Sequence, residues 1–258
     1  MKLTGERPVE GQTPDSLLAL HAAGYREVAD RLGRGRFLDV GCGLGDGTAG
    51  FLEGDRAVVA VDYDAATARS ALARLGRDGV TVACMDGARL GLRSTSFDWV
   101  CSSHLIEHFA DPELHARELA RVLRPGGTAF IITPNEPADF ENPYHISLFR
   151  PPDLAALLRR HFGDVEVLGL DGTPDVKADF EERRRTGRRL LALDVFGLRH
   201  RLPRRFYVGL HALGRRVAYG LMRDKWSGGA TGISASDFSI TRTIDDSTLV
   251  LFAVARRT

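Results

Sequence analysis

The stretch Phe37–Gly47, FLDVGCGLGDG, decides how the rest of the chain is read. An apolar run ending in an acid reads as a buried strand, and Gly41, Gly43, Gly45 and Gly47 then fall at every second position. Glycines there let the backbone turn sharply and approach a ligand closely. A helix opening directly after them would offer its free N–H groups to an anion. A nucleotide-type cofactor is implied, but the dinucleotide spacing GxGxxG is not met. Counted from Gly41 its third glycine falls on Asp46, and counted from Gly43 on Thr48. This counts against NAD.

Outward from that loop, Arg36 to Thr133 alternates short β-branched runs with helical stretches. RFLDV, AVVAVD, VTVAC, FDWVCSS and GTAFIIT read as strands, AATARSALARL and PELHARELARVL as helices. Such alternation predicts an α/β fold with a parallel sheet covered on both faces by helices. Arg124–Gly127, RPGG, has the residues to stop a helix and turn into the next strand. After the irregular stretch NEPADFENPYHISLFR come a helix, PPDLAALLRRHF, and a strand, DVEVLGL. DFSIT and STLVLFAVA near the end read as closing strands.

With 258 residues, 43% of them apolar, the chain can bury one core of ordinary size. No apolar run approaches the roughly 20 residues of a membrane span, and the N-terminus lacks a signal-peptide layout. A soluble, cytoplasmic protein is expected. The three cysteines, Cys42, Cys84 and Cys101, offer no CxxC site and no even disulfide framework. All three are expected to be buried thiols beside strands. The net charge of +1 is unevenly spread: Val176–Lys225 holds 14 Lys and Arg against 5 Asp and Glu, which leaves the remainder at −8. Two regions with different tasks are implied. The expected division is a helical cap at 1–35, a cofactor-binding core at 36–170, a helical basic insertion or lid at 171–236, and closing strands at 237–258.

The segment Asp39-Val-Gly-Cys-Gly-Leu-Gly45 resembles the first motif of class I S-adenosylmethionine-dependent methyltransferases, and the likeness continues in order along the chain. Asp62 ends the second strand about 20 residues past the first glycine, where a carboxylate bonds the ribose hydroxyls. Asp86, in CMDG, looks like the family's acid that meets the adenine amino group. FDWVCSSHLIEHF is similar to the fourth-strand motif, and LRPGGTAFIITPN to the turn into the fifth strand. The resemblance implies a Rossmann-like, mostly parallel seven-stranded sheet and S-adenosyl-L-methionine as cofactor, leaving S-adenosyl-L-homocysteine. It places Asp39, Gly41, Cys42, Gly43, Gly45, Asp62, Tyr63, Asp86, Gly87 and Ser102 at the cofactor. Beside it stands the plainer account that the glycines serve strand–helix packing and that Asp62 or Asp86 caps a helix.

His104–His108, HLIEH, matches the H-x-x-E-H zinc signature in isolation. That site needs both histidines on a well-formed helix and a third ligand. Here His104 lies just past a parallel strand, at the lip where such sheets bind ligands, and Asp111-Pro112 already begins another helix. Glu107-His108 matches the Glu-His pair common in the methyltransferases. Some quinone-pathway members carry a glutamate where His104 stands and bind a divalent cation; this chain departs from them, and no metal is expected. His104, Glu107, His108 and His145 are the candidates for base or acceptor-orienting roles, with a structural, backbone-bonded role as the alternative for His108.

Methyl transfer from a sulfonium needs a positioned nucleophile and, for a hydroxyl, a base. The nearby histidines favour O-methylation of a small molecule. The N-terminal TGERPVEGQTPDSLLALHAAGYREVA resembles the leader helices of bacterial members that act on sugars and cell-surface or secondary metabolites, which implies a secondary-metabolite, sugar or lipid-linked acceptor. The arginine-rich segment, with Phe206, Leu210, Leu213, Val217 and Leu221 at helical spacing, reads as a lid whose cations hold an anionic acceptor, as a solvated basic face, or as a peripheral contact with anionic lipid. Nucleic acid is a less favoured partner, because Phe206, Tyr207 and Tyr219 form no stacking pattern. A cofactor-binding module without catalysis is the third class. The sequence leaves the oligomeric state open.

Overall fold

The computed structural model describes residues 13–139, 142, 144–192 and 232–258. Along them run helices α1 Asp15–Ala29, α2 Ala65–Leu75, α3 Pro112–Val122, α4 Pro151–Leu158 and α5 Pro174–Ala192. The strands are β1 Gly35–Val40, β2 Arg56–Asp62, β3 Thr81–Cys84, β4 Phe97–Ser103, β5 Leu123–Pro134, β6 Asp164–Gly172, β7 Phe238–Thr241 and β8 Val250–Arg256. They form one sheet in the order β3-β2-β1-β4-β5-β8-β6-β7. The first five strands pair in parallel, while β8 runs antiparallel between β5 and β6.

Successive strand residues face opposite layers. Phe37, Phe130 and Phe252 join the core beneath α1, α2 and α5, whereas Leu38, Ile131 and Leu251 join the one beneath α3 and α4. Burial on both faces explains why AVVAVD and TAFIIT are almost continuously apolar.

Three expectations need correction. The sheet has eight strands rather than seven, because β7 adds an edge strand outside β6 through four paired positions. The glycine loop is followed by a single 3-10 turn, Thr48–Phe51, not by an α-helix. Gly50 lies within that turn, and soon after it Gly54 and Asp55 take positive φ, which a continuing helix could not accommodate. Cys42 and Cys101 are buried as expected, but Cys84 ends the edge strand β3 and is exposed.

RPGG lies at the start of β5, where the pairing register with β4 shifts and Gly126 takes a φ of 80°. α5 begins the basic segment, and Phe206, Tyr207, Leu210, Leu213, Val217, Tyr219 and Leu221 lie outside the described residues. Among the described residues no helix is long and apolar enough to cross a membrane.

Candidate functional site

All the singled-out residues sit at or just beyond the C-terminal ends of β1, β2, β3, β4 and β5, where the parallel strands release the chain into loops. After β1, the N–H groups of Gly41 and Cys42 both donate to the Val61 carbonyl, at 2.8 and 3.0 Å. The N–H of Gly43 donates to Asp62 Oδ2 at 3.1 Å, which ties the loop to the end of β2. Gly43 has a φ of 56°, and nothing lies within 4 Å of where a Cβ would be. Its missing side chain leaves open space beside the loop. Gly45 also needs its positive φ, but a Cβ there would strike Leu75, so its bareness serves packing on α2.

Asp62 is buried and also accepts the Asp64 N–H on Oδ1 at 2.9 Å. It is not the helix cap. Asp64 caps α2, taking the Ala66 N–H at 3.0 Å and the Thr67 hydroxyl at 2.8 Å. Tyr63, beside it, is 57% exposed. Asp86 is exposed and closes a local turn by accepting the Ala88 N–H at 2.9 Å, and Gly87 behind it is buried.

Two expected cofactor residues are engaged elsewhere. The Asp39 carboxylate accepts the Thr48 hydroxyl at 2.6 Å and the Tyr25 hydroxyl at 3.3 Å, so it fastens the glycine loop and α1 to β1. Burial pushes its pKa up to about 7; the bonds from Thr48 and Tyr25 pull it down, and the charge of Asp62 pushes it up. The Ser102 hydroxyl lies 2.8 Å from His115 Nε2.

Beyond β4 comes the HLIEH turn. His104 has a φ of 50°, a left-handed conformation rare for a residue with a side chain and held here by its N–H bond to Ile132 at 2.8 Å. Its Nδ1 stands 3.6 Å from Glu107 Oε1, and its ring packs against His21 of α1, with centroids 4.2 Å apart. Glu107 is fully buried and accepts the Thr133 hydroxyl at 3.0 Å. Burial alone would raise its pKa, yet His104, His108 and His145 together hold it below the usual carboxylate value. The Glu107 carbonyl takes the N–H groups of Ile146 and Ser147, at 2.7 and 3.0 Å, and so docks the loop after β5 onto this turn.

On that loop His145 Nδ1 donates to Asp139 Oδ1 at 2.7 Å, and the Asn142 side-chain amide donates to Nε2 at 3.0 Å. Burial would lower the pKa of His145, but the hydrogen bond and charge of Asp139, with the charge of Glu107, raise it on balance. His108 Nδ1 donates to the Tyr144 carbonyl at 3.0 Å, and the rings of His108 and His145 lie 5.3 Å apart. Ser103 Oγ, His104 Nε2, Glu107 Oε1, Asn135 Oδ1 and Asp139 Oδ2 are buried polar atoms without a hydrogen-bond partner. Such atoms are rare in a folded interior, and gathered at one sheet end they suit a polar ligand.

Glu107, His108 and His145 bring ligand atoms within 4.8 Å of one another. The trio differs from the zinc reading of HLIEH, because His145 replaces His104. His108 and His145 are each turned by a hydrogen bond from Nδ1, the way metal-bound histidines commonly are.

Residues 38–131 match a family described as a methyltransferase domain. A probable S-adenosylmethionine-dependent methyltransferase of Mycobacterium tuberculosis is 32% identical over 186 residues, 69% of this chain and 67% of that relative. The chain belongs to the S-adenosylmethionine-dependent methyltransferases. A second probable member, from Mycolicibacterium smegmatis, is 33% identical over 174 residues, 64% of this chain and 66% of its own length. The matched stretch thus spans about two thirds of each relative. The crystal structure of the [4+2]-cyclase SpnF shares the fold, with a TM-score of 0.59 at 19% identity, covering 98% of this chain and 84% of that one. A fold shared with a cyclase leaves the chemistry to be argued from the site.

The residues of the methyltransferase fit its cofactor. The bare, left-handed Gly43 leaves room for a ligand against the backbone, and Asp62 and Asp86 set acids at the ends of the neighbouring strands β2 and β3. The structure also brings four residues that sequence reasoning passed over against the singled-out ones: His21 on His104, Asp139 on His145, Thr133 on Glu107 and His115 on Ser102. Only His21 left a trace, since it shares a helix face with Tyr25 one turn later.

Proposed function

We propose that this methyltransferase transfers a methyl group from S-adenosylmethionine to a hydroxyl of a small, polar acceptor, with His145 receiving the hydroxyl proton. The Asp139–His145 pair, 2.7 Å apart on the loop that closes over the end of β5, carries this reading. When bound, the cofactor supplies a methyl already activated on a positively charged sulfur. Gly43 and Asp62 hold the donor, and the loop at Asp86 and Gly87 receives its adenine. Asp139 fixes the Nδ1–H tautomer of His145, which leaves the lone pair on Nε2 as the base. The Asn142 amide occupies that lone pair at 3.0 Å, and an acceptor hydroxyl takes its place. His104, His21 and Glu107 line the same polar end and orient the acceptor.

Among the described arginines of the basic segment, Arg183 pairs with Asp179, and Arg184 and Arg185 with Glu181.

His145 acts as a base only when neutral, and its pKa lies above the ordinary value of 6.5. Activity is therefore expected to rise with pH through a value above 6.5. Removing the Asp139 charge by Asp139→Asn lowers that pKa, so the acid limb should move to lower pH while the plateau falls. The acceptor comes first: cell extract incubated with the protein and isotopically methyl-labelled donor, followed by mass spectrometry, identifies the labelled product. A product labelled on nitrogen, or an acid limb unmoved by Asp139→Asn, overturns the proposal.

A cation-assisted transfer is a second reading, supported by the Glu107, His108 and His145 trio. Activity lost to a chelator and restored by magnesium would select it.

A further inference from the structure

His115 is a polar ring on the buried face of α3, which it shares with the apolar Ala116 and Leu119, and it is fully buried. A leucine would fill such a place without a desolvation penalty. The imidazole instead makes two bonds. Nδ1 lies 2.9 Å from the Gly87 carbonyl, which can only accept, so Nδ1 carries the proton. Nε2 then accepts the Ser102 hydroxyl at 2.8 Å. Burial holds the ring neutral, with a pKa near 4 despite the Gly87 bond and the charges of Glu107, Asp86 and Glu118, so this tautomer persists across the working pH range.

The Phe109 ring stacks on the imidazole with centroids 4.6 Å apart. A Cβ on Gly87 would lie 3.1 Å from Phe109 and 3.2 Å from His115 Nδ1, so the loop after β3 rests flat on this pair. Ser102 belongs to β4, two residues before His104.

We propose that His115 is a positioning residue for the donor: it clamps the Gly87 carbonyl, and with it the loop that receives the adenine, to the end of β4. The inference rests on the adenine reading of Asp86 and Gly87 given above. Its test separates the two halves of the imidazole. His115→Asn places an amide N–H where Nδ1 was and keeps the Gly87 bond. His115→Gln places its amide near the Nε2 position and keeps only the Ser102 bond.

Titration calorimetry with S-adenosylhomocysteine is expected to show His115→Asn within about threefold of the native affinity and His115→Gln weaker by about tenfold, the loss of roughly one buried hydrogen bond. In turnover the Gln variant should raise the donor KM about tenfold while kcat falls by less than about twofold, because a loosened donor loop is compensated at saturation. Gly87→Ala pushes the loop off the same ring from the other side. It should reproduce the affinity loss with His115 intact, and it decides the matter where the Gln variant does not fold. Equal loss in Asn and Gln, or no loss in Gln and Gly87→Ala, overturns the clamp. Unchanged affinity in Asp86→Ala overturns the adenine reading beneath it, whereas a weakened Asp86→Ala beside an unaffected His115→Gln overturns the clamp alone.

Discussion

Asp39 opens the most telling stretch of the sequence, yet its carboxylate faces the scaffold. Its pKa rises from 3.8 to about 7 on folding, chiefly through burial. The unfolded chain therefore loses this proton at lower pH than the folded one. The resulting penalty is absent below about pH 4, grows up to about pH 7 and is constant above, on the order of 4 kcal/mol at roughly 1.4 kcal/mol per unit. Asp39→Asn removes the charge while the Thr48 and Tyr25 hydroxyls can turn to suit the amide. The melting temperature of this variant is expected to gain on the native protein as pH rises from 4 to 7. A gap that shrinks over that range would refute this account. Asp62 behaves differently, because it holds the Gly43 and Asp64 N–H groups where the glycine loop meets the end of β2. Asp62→Ala is expected to weaken S-adenosylhomocysteine binding by at least about 1.5 kcal/mol, read by calorimetry, since charge-assisted bonds are lost. Spacing alone placed both acids at strand ends. It could not tell which way each carboxylate turns, since that depends on Tyr25 and Thr48 arriving from other elements.

Among the elements, α1 joins parts of the chain that are far apart in sequence. Ser16 donates to Asp179 of α5 at 2.7 Å, Tyr25 reaches Asp39 of β1, and His21 packs on His104 after β4. Arg26 donates to the carbonyls of Ala235 at 2.6 Å and Phe238 at 2.9 Å, so it satisfies backbone groups at and before the edge strand β7. Arg26→Ala is expected to cost about 1.5–3 kcal/mol, the range for hydrogen bonds to a charged group, measured as a lower urea midpoint. Arg26→Lys should recover only part of that, because a single ammonium cannot span both carbonyls as the planar fork does. A midpoint unchanged in Arg26→Ala would mean that its bonds to Ala235 and Phe238 add nothing to the hold on α1. The core strands and helices were legible because their apolar periodicity is strong and their turn residues fall between them. β7 was visible as DFSIT, but its place at the sheet edge depends on α1 and β6, which no local pattern records. The missing helix after the glycine loop has a local cause, in Gly50 and Gly54.

At the scale of the whole molecule, the last strand in the chain is an inner strand of the sheet. β8 pairs with β5 on one side and β6 on the other, each through seven positions, and Leu251, Phe252, Ala253 and Ala255 are fully buried. Among the described residues the parallel half and the β6–β7 edge therefore meet only through β8 within the sheet. Phe252 packs 6.1 Å from the Phe130 ring, and the Arg31 guanidinium lies 5.2 Å above it. It thus anchors α1's side of the core as well as the sheet. Phe252→Ala leaves a cavity expected to cost about 3–5 kcal/mol, against a total stability of roughly 5–15 kcal/mol for a domain of this kind. Since both halves hang on the same strand, they should fail together. Far-UV and near-UV circular dichroism of the variant are expected to lose signal in one coincident urea transition at a lower midpoint. A variant that unfolds in two separated steps would show instead that the parallel half stands without β8, and that the glycine loop keeps its place after the closing strand is lost.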